Sequence, residues 1–477
     1  TCTTFAVTIF FAATPSLAQD AGGVLKRAAT AMGANDLKTL RYAGRGAGGQ
    51  FGQTYRPGNN WPKVDYPNYA REVDYDTVFT SERIVRQRAE PKGGGPLPLT
   101  GQAPSGSVAN AQFSWNLAGQ NAVPRQAPHA NRLHDLWITP HGVLKAAAKS
   151  NAKLDFRNVG GRSMAAVSFG VPGVMTATAL INENSLVERV ESRMSDQVLG
   201  DITSVTTYSD YRDYNGVQFP TRIEQTVEGA PTMALVITDV QPNAKVESAV
   251  PDNIAKAVER ATSEKVAEGV WFIAGGSHNS VVIEMADHVV LVESPLGDER
   301  AKVVFTETRK LVPTKPVRYV VNSHHHFDHS GGLRAAVAEG AIIVTQAQNK
   351  PYFERAFANA SRVTPDALAK SGRKARVVGV GEQMIMKDAT RTVEIHRLRD
   401  PLHVDTFLMV YLPKEHLLVE ADAFTPRPPN SPAPSPADPY HVNLIDNISR
   451  LKLTVEQILP LHGRVVPVAE LNRMVGK

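Results

Sequence analysis

The sequence predicts an α/β protein in which an open antiparallel β-sheet precedes a part where helices pack over sheets. Two observations lead to this prediction. Between residues 151 and 245, short runs of alternating apolar and polar residues are separated by turn sequences such as Asn215-Gly216. After residue 262, strand-like apolar runs alternate with a helix-like stretch that reaches Lys310. We therefore expect two different architectures in one chain.

Composition bounds the class of protein. The chain has 477 residues, of which 42% are hydrophobic and 21% charged, as in globular proteins with two or three domains. The 52 basic and 47 acidic residues nearly cancel, which disfavours nucleic acid as a partner. A single cysteine excludes a disulfide framework, a Cys-rich zinc module and a thiolate-bound iron–sulfur cluster. The 14 histidines are left as the candidate metal ligands.

The first residues are typical of a processing signal. Residues 5–13 form an apolar run too short to span a bilayer, and Ser16-Leu17-Ala18 places small residues where a signal peptidase reads them. We expect a bacterial-type signal peptide over 1–18 and a periplasmic or secreted protein. No later run reaches the roughly 18 apolar residues of a membrane span, so no integral membrane segment is expected.

A β-rich domain of unknown role is predicted over 19–250. Two short helices are expected between 130 and 150, on either side of Pro140. One hairpin is expected around 182–185 and another at Asn215-Gly216. In its succession of strands and turns, this sheet resembles the half-barrel of bacterial lipoprotein-carrier domains. Residues 42–128, rich in glycine and proline, indicate surface loops between a few short strand-like pieces and give no sign of chemistry.

A linker over 251–261, with a short helix near 252–262, is predicted to lead into a second domain over 262–477. Its opening strands are expected at 270–274, 280–284 and 289–293. A helix ending near Lys310 and a further strand at 317–321 follow. The densest motif in the chain comes directly after that last strand.

This motif is Ser323-His324-His325-His326-Phe327-Asp328-His329-Ser330-Gly331-Gly332. It places several imidazoles and a carboxylate on one loop at the edge of a sheet. Such ligands suit zinc. The spacing His-x-His-x-Asp-His does not easily satisfy one tetrahedral ion, so it favours two adjacent metals.

The motif resembles that of the metallo-β-lactamase superfamily, over roughly the last 215 residues. The resemblance implies a C-terminal αββα sandwich and three further ligands, and His403, Asp422 and His462 each stand where a strand-like segment ends. It implies a first metal held by His324, His326 and His403, a second held by Asp328, His329 and His462, and Asp422 bridging the two. The implied cofactor is two Zn²⁺ per chain, with Fe or Mn left open.

Some positions differ from the family pattern. Leu402 and Ala421 stand where members usually have glycine before a ligand, which leaves the subgroup open but removes no ligand. His326 stands where the flavodiiron branch has glutamate, which disfavours oxygen reduction. The complete second-metal set argues against the mononuclear-iron sulfur dioxygenases of the superfamily.

The implied activity is that of a metallo-hydrolase acting on a small molecule. A hydroxide shared by the two zinc ions would attack an ester, lactone or amide bond, and Asp328 would orient it as the catalytic residue. A β-lactamase is disfavoured by the domain of about 240 residues in front of the motif. Two alternatives stay open: a phosphodiesterase, or a periplasmic protein that binds a lipid or other apolar ligand and carries an auxiliary metal domain. The sequence leaves the oligomeric state open.

Several neighbours of the motif carry weaker expectations. His325 is expected to point away from the metals. His278, in the turn after Gly275-Gly276, is expected to be solvated, with substrate contact as the alternative. The Pro-rich run 426–434 and the following His441 would form either a rim over the pocket or a connector to a helix over 443–457.

Overall fold

The structure, a computed structural model, describes residues 20–90, 94–95, 100–124 and 129–477. The predicted signal peptide over 1–18 lies outside these residues and stays a prediction. None of the helices in the described ranges is long and apolar enough to cross a membrane.

A single antiparallel sheet dominates the first half of the chain. Its strands in the described residues are β1 (Thr39–Gly49), β2 (Lys63–Asp74), β3 (Phe79–Arg88), β4 (Gln102–Ala109), β5 (Ser114–Ala118), β6 (Asn121–Pro124), β7 (Lys153–Val159), β8 (Arg162–Val171), β9 (Met175–Ile181), β10 (Val187–Asp196), β11 (Gly200–Tyr214), β12 (Val217–Val227) and β13 (Ala230–Pro242).

The strands form an open sheet in the order β6-β5-β4-β3-β2-β1-β13-β12-β11-β10-β9-β8-β7. Among the described strands, β1 and β13 alone pair across a long stretch of chain, and the other neighbours are consecutive along it. Both predicted hairpins are confirmed: β9 pairs with β10, and β11 with β12 around Asn215-Gly216. Asn215 has a φ of 56° and Gly216 one of 84°, the left-handed geometry that Asn-Gly accommodates in a tight turn.

Three helices cover one face of this sheet: α1 (Ala21–Ala31), α2 (His129–Trp137) and α3 (Pro140–Ala148). The predicted break at Pro140 is confirmed, because this proline opens α3 after the Thr139 cap. Leu25, Leu136 and Val143 of the helices share one buried core with the strand residues of that face. This face is therefore filled by the protein's own side chains.

His141 of α3 makes the stability of this core pH-dependent. Its ring is fully buried, lies 6.0 Å from the Phe219 ring, and its Nε2 lies 3.1 Å from the Met32 carbonyl oxygen. Burial lowers the pKa of His141 to about 4. An unfolded histidine, with an ordinary pKa near ~6.5, takes up a proton at higher pH than the folded one, so stability falls as pH drops from about 6.5 to about 4.

Because of His141, we expect the free energy of unfolding to fall by about 3 kcal/mol as the pH drops from about 6.5 to about 4. His141→Gln, which keeps an N–H donor for the Met32 carbonyl, should show a correspondingly shallower pH dependence. Urea unfolding of both full-length proteins at pH 7 and pH 4 measures the difference. Equal losses of stability in the two proteins would contradict the assignment.

The expected linker helix is much shorter than predicted. Helix α4 spans Asp252–Ala255, a single turn, where the sequence predicted a helix near 252–262. The chain beyond it is held by Arg300, whose Nη1 donates to the Arg260 carbonyl oxygen at 2.6 Å. This contact ties the linker to the second half of the molecule, where the next strand begins at Thr262.

The second half contains two further sheets. In the described residues the first has strands β14 (Thr262–Ala267), β15 (Val270–Ala274), β16 (Ser280–Glu284), β17 (Val289–Val292), β18 (Val317–Val321), β19 (Ile342–Gln346) and β20 (Val377–Val380), side by side in that order. The second has β21 (Gln383–Lys387), β22 (Thr392–Arg397), β23 (Leu408–Leu412), β24 (Leu417–Glu420), β25 (Gln457–Pro460) and β26 (Val466–Pro467).

Helices flank these sheets: α5 (Asp298–Leu311), α6 (Phe327–Ser330), α7 (Leu333–Ala338), α8 (Lys350–Ala358), α9 (Ala367–Ser371), α10 (Pro439–Leu451) and α11 (Val468–Met474), with a 3-10 turn at Ala347–Asn349. One buried cluster joins both sheets with α10 and α11, and another joins the first sheet with α5, α7 and α8. The result is the predicted helix–sheet–sheet–helix sandwich. Helix α10 starts before the predicted 443 because Asp438 caps it, and it ends before 457 at Lys452, which has a φ of 54°.

Strand direction brings distant loops to one edge. Strand β18 ends at Val321, just before the histidine motif. Strands β24 and β25 are parallel neighbours, with Glu420 opposite Pro460. Because parallel strands present their carboxyl ends at the same edge, Asp422 and His462 emerge side by side.

Candidate metal centre

The loop after β18 and two distant loops form a first cluster of potential ligands. Its donor atoms all lie within 4.8 Å of one another. We call this the first group, and it consists of His324, His326, His403 and Asp422. These are the residues that the family resemblance assigns to the first metal, together with the bridging aspartate that it implies.

A second cluster lies beside it, again with all donor atoms within 4.8 Å. This second group consists of His278, Asp328, His329 and His462. The expectation that His278 is a solvated turn histidine is wrong. Its side chain is 6% exposed, and its ring centroid lies 4.1 Å from that of His462. Asn279 buries the turn because its amide bonds the carbonyl oxygens of Pro460 and Gly463.

Asp422 connects the two groups. Its Oδ2 lies 2.8 Å from His403 Nε2 in the first group and 3.1 Å from His329 Nε2 in the second. Its Oδ1 lies 2.8 Å from His462 Nε2. The structure thus brings all seven predicted ligands together, with the predicted bridging residue in the middle.

Hydrogen bonds fix which ring nitrogen faces the cluster. His324 Nδ1 lies 3.0 Å from Ser323 Oγ. His326 Nε2 lies 2.9 Å from the Thr54 carbonyl oxygen, which only accepts, so Nε2 carries the proton. The opposite nitrogen of His326, Nδ1, is buried without a hydrogen-bond partner, while His324 Nε2 and His403 Nε2 lie 3.3 and 2.8 Å from Asp422 Oδ2. Buried unpartnered lone pairs are costly, and a cation among them would satisfy them.

The electrostatics of the centre also suit a cation. Burial lowers the pKa of His324 well below its ordinary value, so its imidazole is neutral, as a metal ligand must be. Burial alone would raise the pKa of Asp422, but His329 and His403 hold it well below its ordinary value. Burial alone would lower the pKa of His329, but Asp422 and Asp328 raise it well above normal. The negative potential of the Asp328 and Asp422 carboxylates attracts a proton, or a metal ion in place of that proton.

Glu293 supports the cluster from behind, and sequence analysis missed it. It follows β17, is fully buried and has a φ of 70°, a conformation that is costly for a non-glycine residue. Its Oε2 accepts from His329 Nδ1 at 3.1 Å, and its carboxylate also accepts from Ser323 Oγ and Asn322 Nδ2. One carboxylate therefore orients the ring of His329 and the loop that carries His324. A carboxylate at the end of an apolar strand was the available sign of this role.

The other predicted neighbours are placed as follows. His325 points away from the groups, as expected, and its ring nitrogens lie 2.9 Å from Thr54 Oγ1 and Thr406 Oγ1. Tyr440 follows the Pro-rich run, and its ring centroid lies 5.8 Å from that of His403, which favours the rim interpretation of this loop. His441 packs against Phe424 instead, with ring centroids 4.9 Å apart.

The first domain also reaches the centre. Gln53 Nε2 donates to Asp328 Oδ1 at 2.9 Å, and Thr54 contacts both His325 and His326. The expectation that residues 42–128 lie away from the chemistry is therefore wrong for Gln53 and Thr54. Because Gln53 and Asp328 are 275 positions apart, no local pattern could indicate this contact.

Comparison with known proteins gives one family match. Residues 273–457 match the family model of the Metallo-beta-lactamase superfamily. This range contains six of the seven predicted ligands, and His462 follows it. Comparison with curated proteins returns no match.

Solved structures that match this chain cover 45–46% of it. A metallo-beta-lactamase from Pontibacter korlensis is 16% identical, over 46% of this chain and 98% of that one, with a TM-score of 0.35. The metallo-beta-lactamase FIM-1 from Pseudomonas aeruginosa, in a mono-zinc form, is 19% identical over 46% and 94%, with a TM-score of 0.34. The rubredoxin oxygen:oxidoreductase from Desulfovibrio gigas is 17% identical over 45% and 61%, with a TM-score of 0.35.

Proposed function

We propose that the protein is a zinc-dependent hydrolase of an ester, lactone or amide bond, because residues 273–457 match the family model of the metallo-β-lactamase superfamily. The superfamily consists of metal-dependent enzymes, generally zinc hydrolases. The bond, the metal and the number of metal ions are our proposals.

One observation carries the proposal: Asp422 of the first group also contacts His329 and His462 of the second. Its two oxygens reach ligand atoms of both groups at 2.8 to 3.1 Å. A carboxylate in this place suits a pair of neighbouring ions better than a single one. We therefore propose two zinc ions, one in each group, with Asp422 contacting both.

Zinc ions bound here would supply Lewis acidity, lowering the pKa of bound water and polarising the scissile bond. Asp328 would orient the attacking water. Its Oδ1 accepts from Gln53, and its Oδ2 lies 3.3 Å from His278 Nε2, which fixes the plane of the carboxylate. Burial alone would raise the pKa of Asp328, but His278 and His329 hold it well below normal, so it stays ionised as a proton acceptor.

The exposed side of the centre indicates where substrate approaches. Asp328, Asp422 and His462 keep 22%, 14% and 20% of their side-chain surface exposed, whereas His324 is fully buried. The reacting bond would therefore meet the second group first. Tyr440 stands beside His403 at this rim and would contact the substrate next to the reacting bond.

The alternative of a protein that binds an apolar ligand predicts an apolar cavity in the first domain. The described residues of the helix-covered face instead share one packed core. A cavity of about 80 Å³ there is lined by Arg71, Glu82 and Asp135 among others. Charged walls and this small volume do not suit a lipid, and the larger depressions of about 460 and 520 Å³ in the described first domain are open to solvent, so none of the three encloses an apolar ligand, which favours the hydrolase.

Turnover with and without metal tests the proposal. We expect the full-length protein to hydrolyse at least one member of a panel of esters, lactones, amides, β-lactams and phosphodiesters. Chelation should remove this activity and added zinc should restore it. Activity that survives complete zinc removal would contradict the proposal. Turnover confined to phosphodiesters would replace the proposed bond class with the alternative one.

A further inference from the structure

A loop of the first domain, residues 51–56, lies against the metal centre. We propose that this segment, the docking segment, is a positioning element that orients His326 of the first group and Asp328 of the second, and so tunes the affinity of the metals that these groups would hold. The inference rests on the proposed function and adds a role for the first domain. It follows from three sets of contacts.

An aromatic cluster anchors the start of the segment. The Phe51 ring lies 5.1 Å from that of Phe327, and Trp61 lies 6.1 Å from the same ring, both edge-on. Gly52 has a φ of 81°, and a Cβ atom there would lie 2.6 Å from Phe327 Cγ. Its carbonyl oxygen accepts from Phe327 N at 3.2 Å. Only glycine fits this close contact in this backbone conformation, which brings the segment onto the helix that carries Asp328.

Polar contacts anchor the other end beside His403. Arg56 Nε donates to Asp405 Oδ2 at 2.9 Å, and Asp405 N donates to the Tyr55 carbonyl oxygen at 3.0 Å. The Tyr55 hydroxyl donates to the Pro401 carbonyl oxygen at 2.9 Å. Pro401 and Asp405 stand on either side of His403 in the chain. The segment is therefore fixed at both ends to loops that carry predicted ligands.

Between these anchors, the segment determines how two ligands face the centre. The Thr54 carbonyl accepts from His326 Nε2, which leaves the buried, unpartnered Nδ1 as the atom that faces the first group. The Gln53 amide donates to Asp328 Oδ1, which leaves Oδ2 facing His278. Partners of this kind fix ligand orientation, and their loss typically weakens metal binding by about 10- to 100-fold.

Gln53→Met removes the amide donor at similar side-chain length, and Gln53→Asn keeps an amide too short to reach Asp328. In both full-length variants we expect the second zinc to bind about tenfold more weakly, with the first zinc unchanged. Competition with a chromophoric chelator measures both affinities, and the visible spectrum of the cobalt-substituted protein reports ligand geometry at the second site. Gln120→Met, at an exposed position of the same domain, is the control and should match wild type.

The outcomes separate this inference from the proposed function. Weaker second-site binding and an altered cobalt spectrum in a variant that melts at the wild-type temperature support positioning by Gln53. Zinc affinities and cobalt spectra equal to those of the wild type in both variants would overturn this inference. The proposed function would still stand if the wild-type protein binds zinc and hydrolyses a substrate. A wild-type protein that binds no zinc would overturn both.

Discussion

Asp422→Ala is expected to lower kcat/KM for any substrate of this protein by about 1,000-fold, or ~4 kcal/mol of transition-state stabilisation. The reason is its place between the two groups, at 2.8 Å from both His403 Nε2 and His462 Nε2. Removing this carboxylate leaves the clustered imidazoles without their shared negative partner. We therefore also expect the variant to retain at most one zinc per chain, measured by elemental analysis after dialysis.

The matched control is Asp446→Asn, an exposed aspartate on α10 in the same domain. It should keep wild-type activity and zinc content. An Asp422→Ala protein with full activity and two bound zinc ions would contradict a shared bridging role for this carboxylate.

Glu293→Gln should have the second-largest effect, with about 100-fold weaker binding of the second zinc and a comparable loss of activity. The fully buried Glu293 carboxylate accepts from His329 Nδ1 and from Ser323, which in turn contacts His324. An amide accepts only through its oxygen, so its nitrogen meets either the Asn322 Nδ2 donor or, in the other orientation, the His329 and Ser323 donors. Either arrangement places two donors against each other in a buried site, which displaces the side chain that keeps His329 Nε2 directed at the second group.

Zinc titration of Glu293→Gln measures this effect, and the exposed Glu299→Gln provides the control for loss of one negative charge. Circular dichroism checks that the variant is folded. If folded Glu293→Gln binds both zinc ions as tightly as Glu299→Gln, the carboxylate does not orient His329 as described.

Much of the centre could be predicted because its parts are encoded locally. His324, His326 and His329 share one loop, so their spacing alone indicates a metal site. Asp422 and His462 each follow a short apolar strand, and the parallel pairing of β24 with β25 brings those strand ends together. Residues placed by strand ends are therefore accessible to sequence reasoning.

The parts of the centre that could not be predicted from the sequence depend on contacts between distant segments. The burial of His278 follows from Asn279 bonding to Pro460 and Gly463, more than 180 residues away. Gln53 reaches Asp328 only because the aromatic contacts of Phe327 hold the docking segment in place. A turn histidine and a glutamine in a Gly-rich loop carry no periodicity or spacing that would reveal such contacts. The solvated interpretation of His278 was wrong for this reason.

The central claim is that the first and second groups hold two zinc ions with Asp422 between them. Anomalous diffraction from crystals of the full-length protein grown with zinc, recorded above and below the zinc edge, tests it directly. We predict two zinc peaks, one at each group, both in contact with Asp422. A single peak, or zinc bound away from these side chains, would contradict the account.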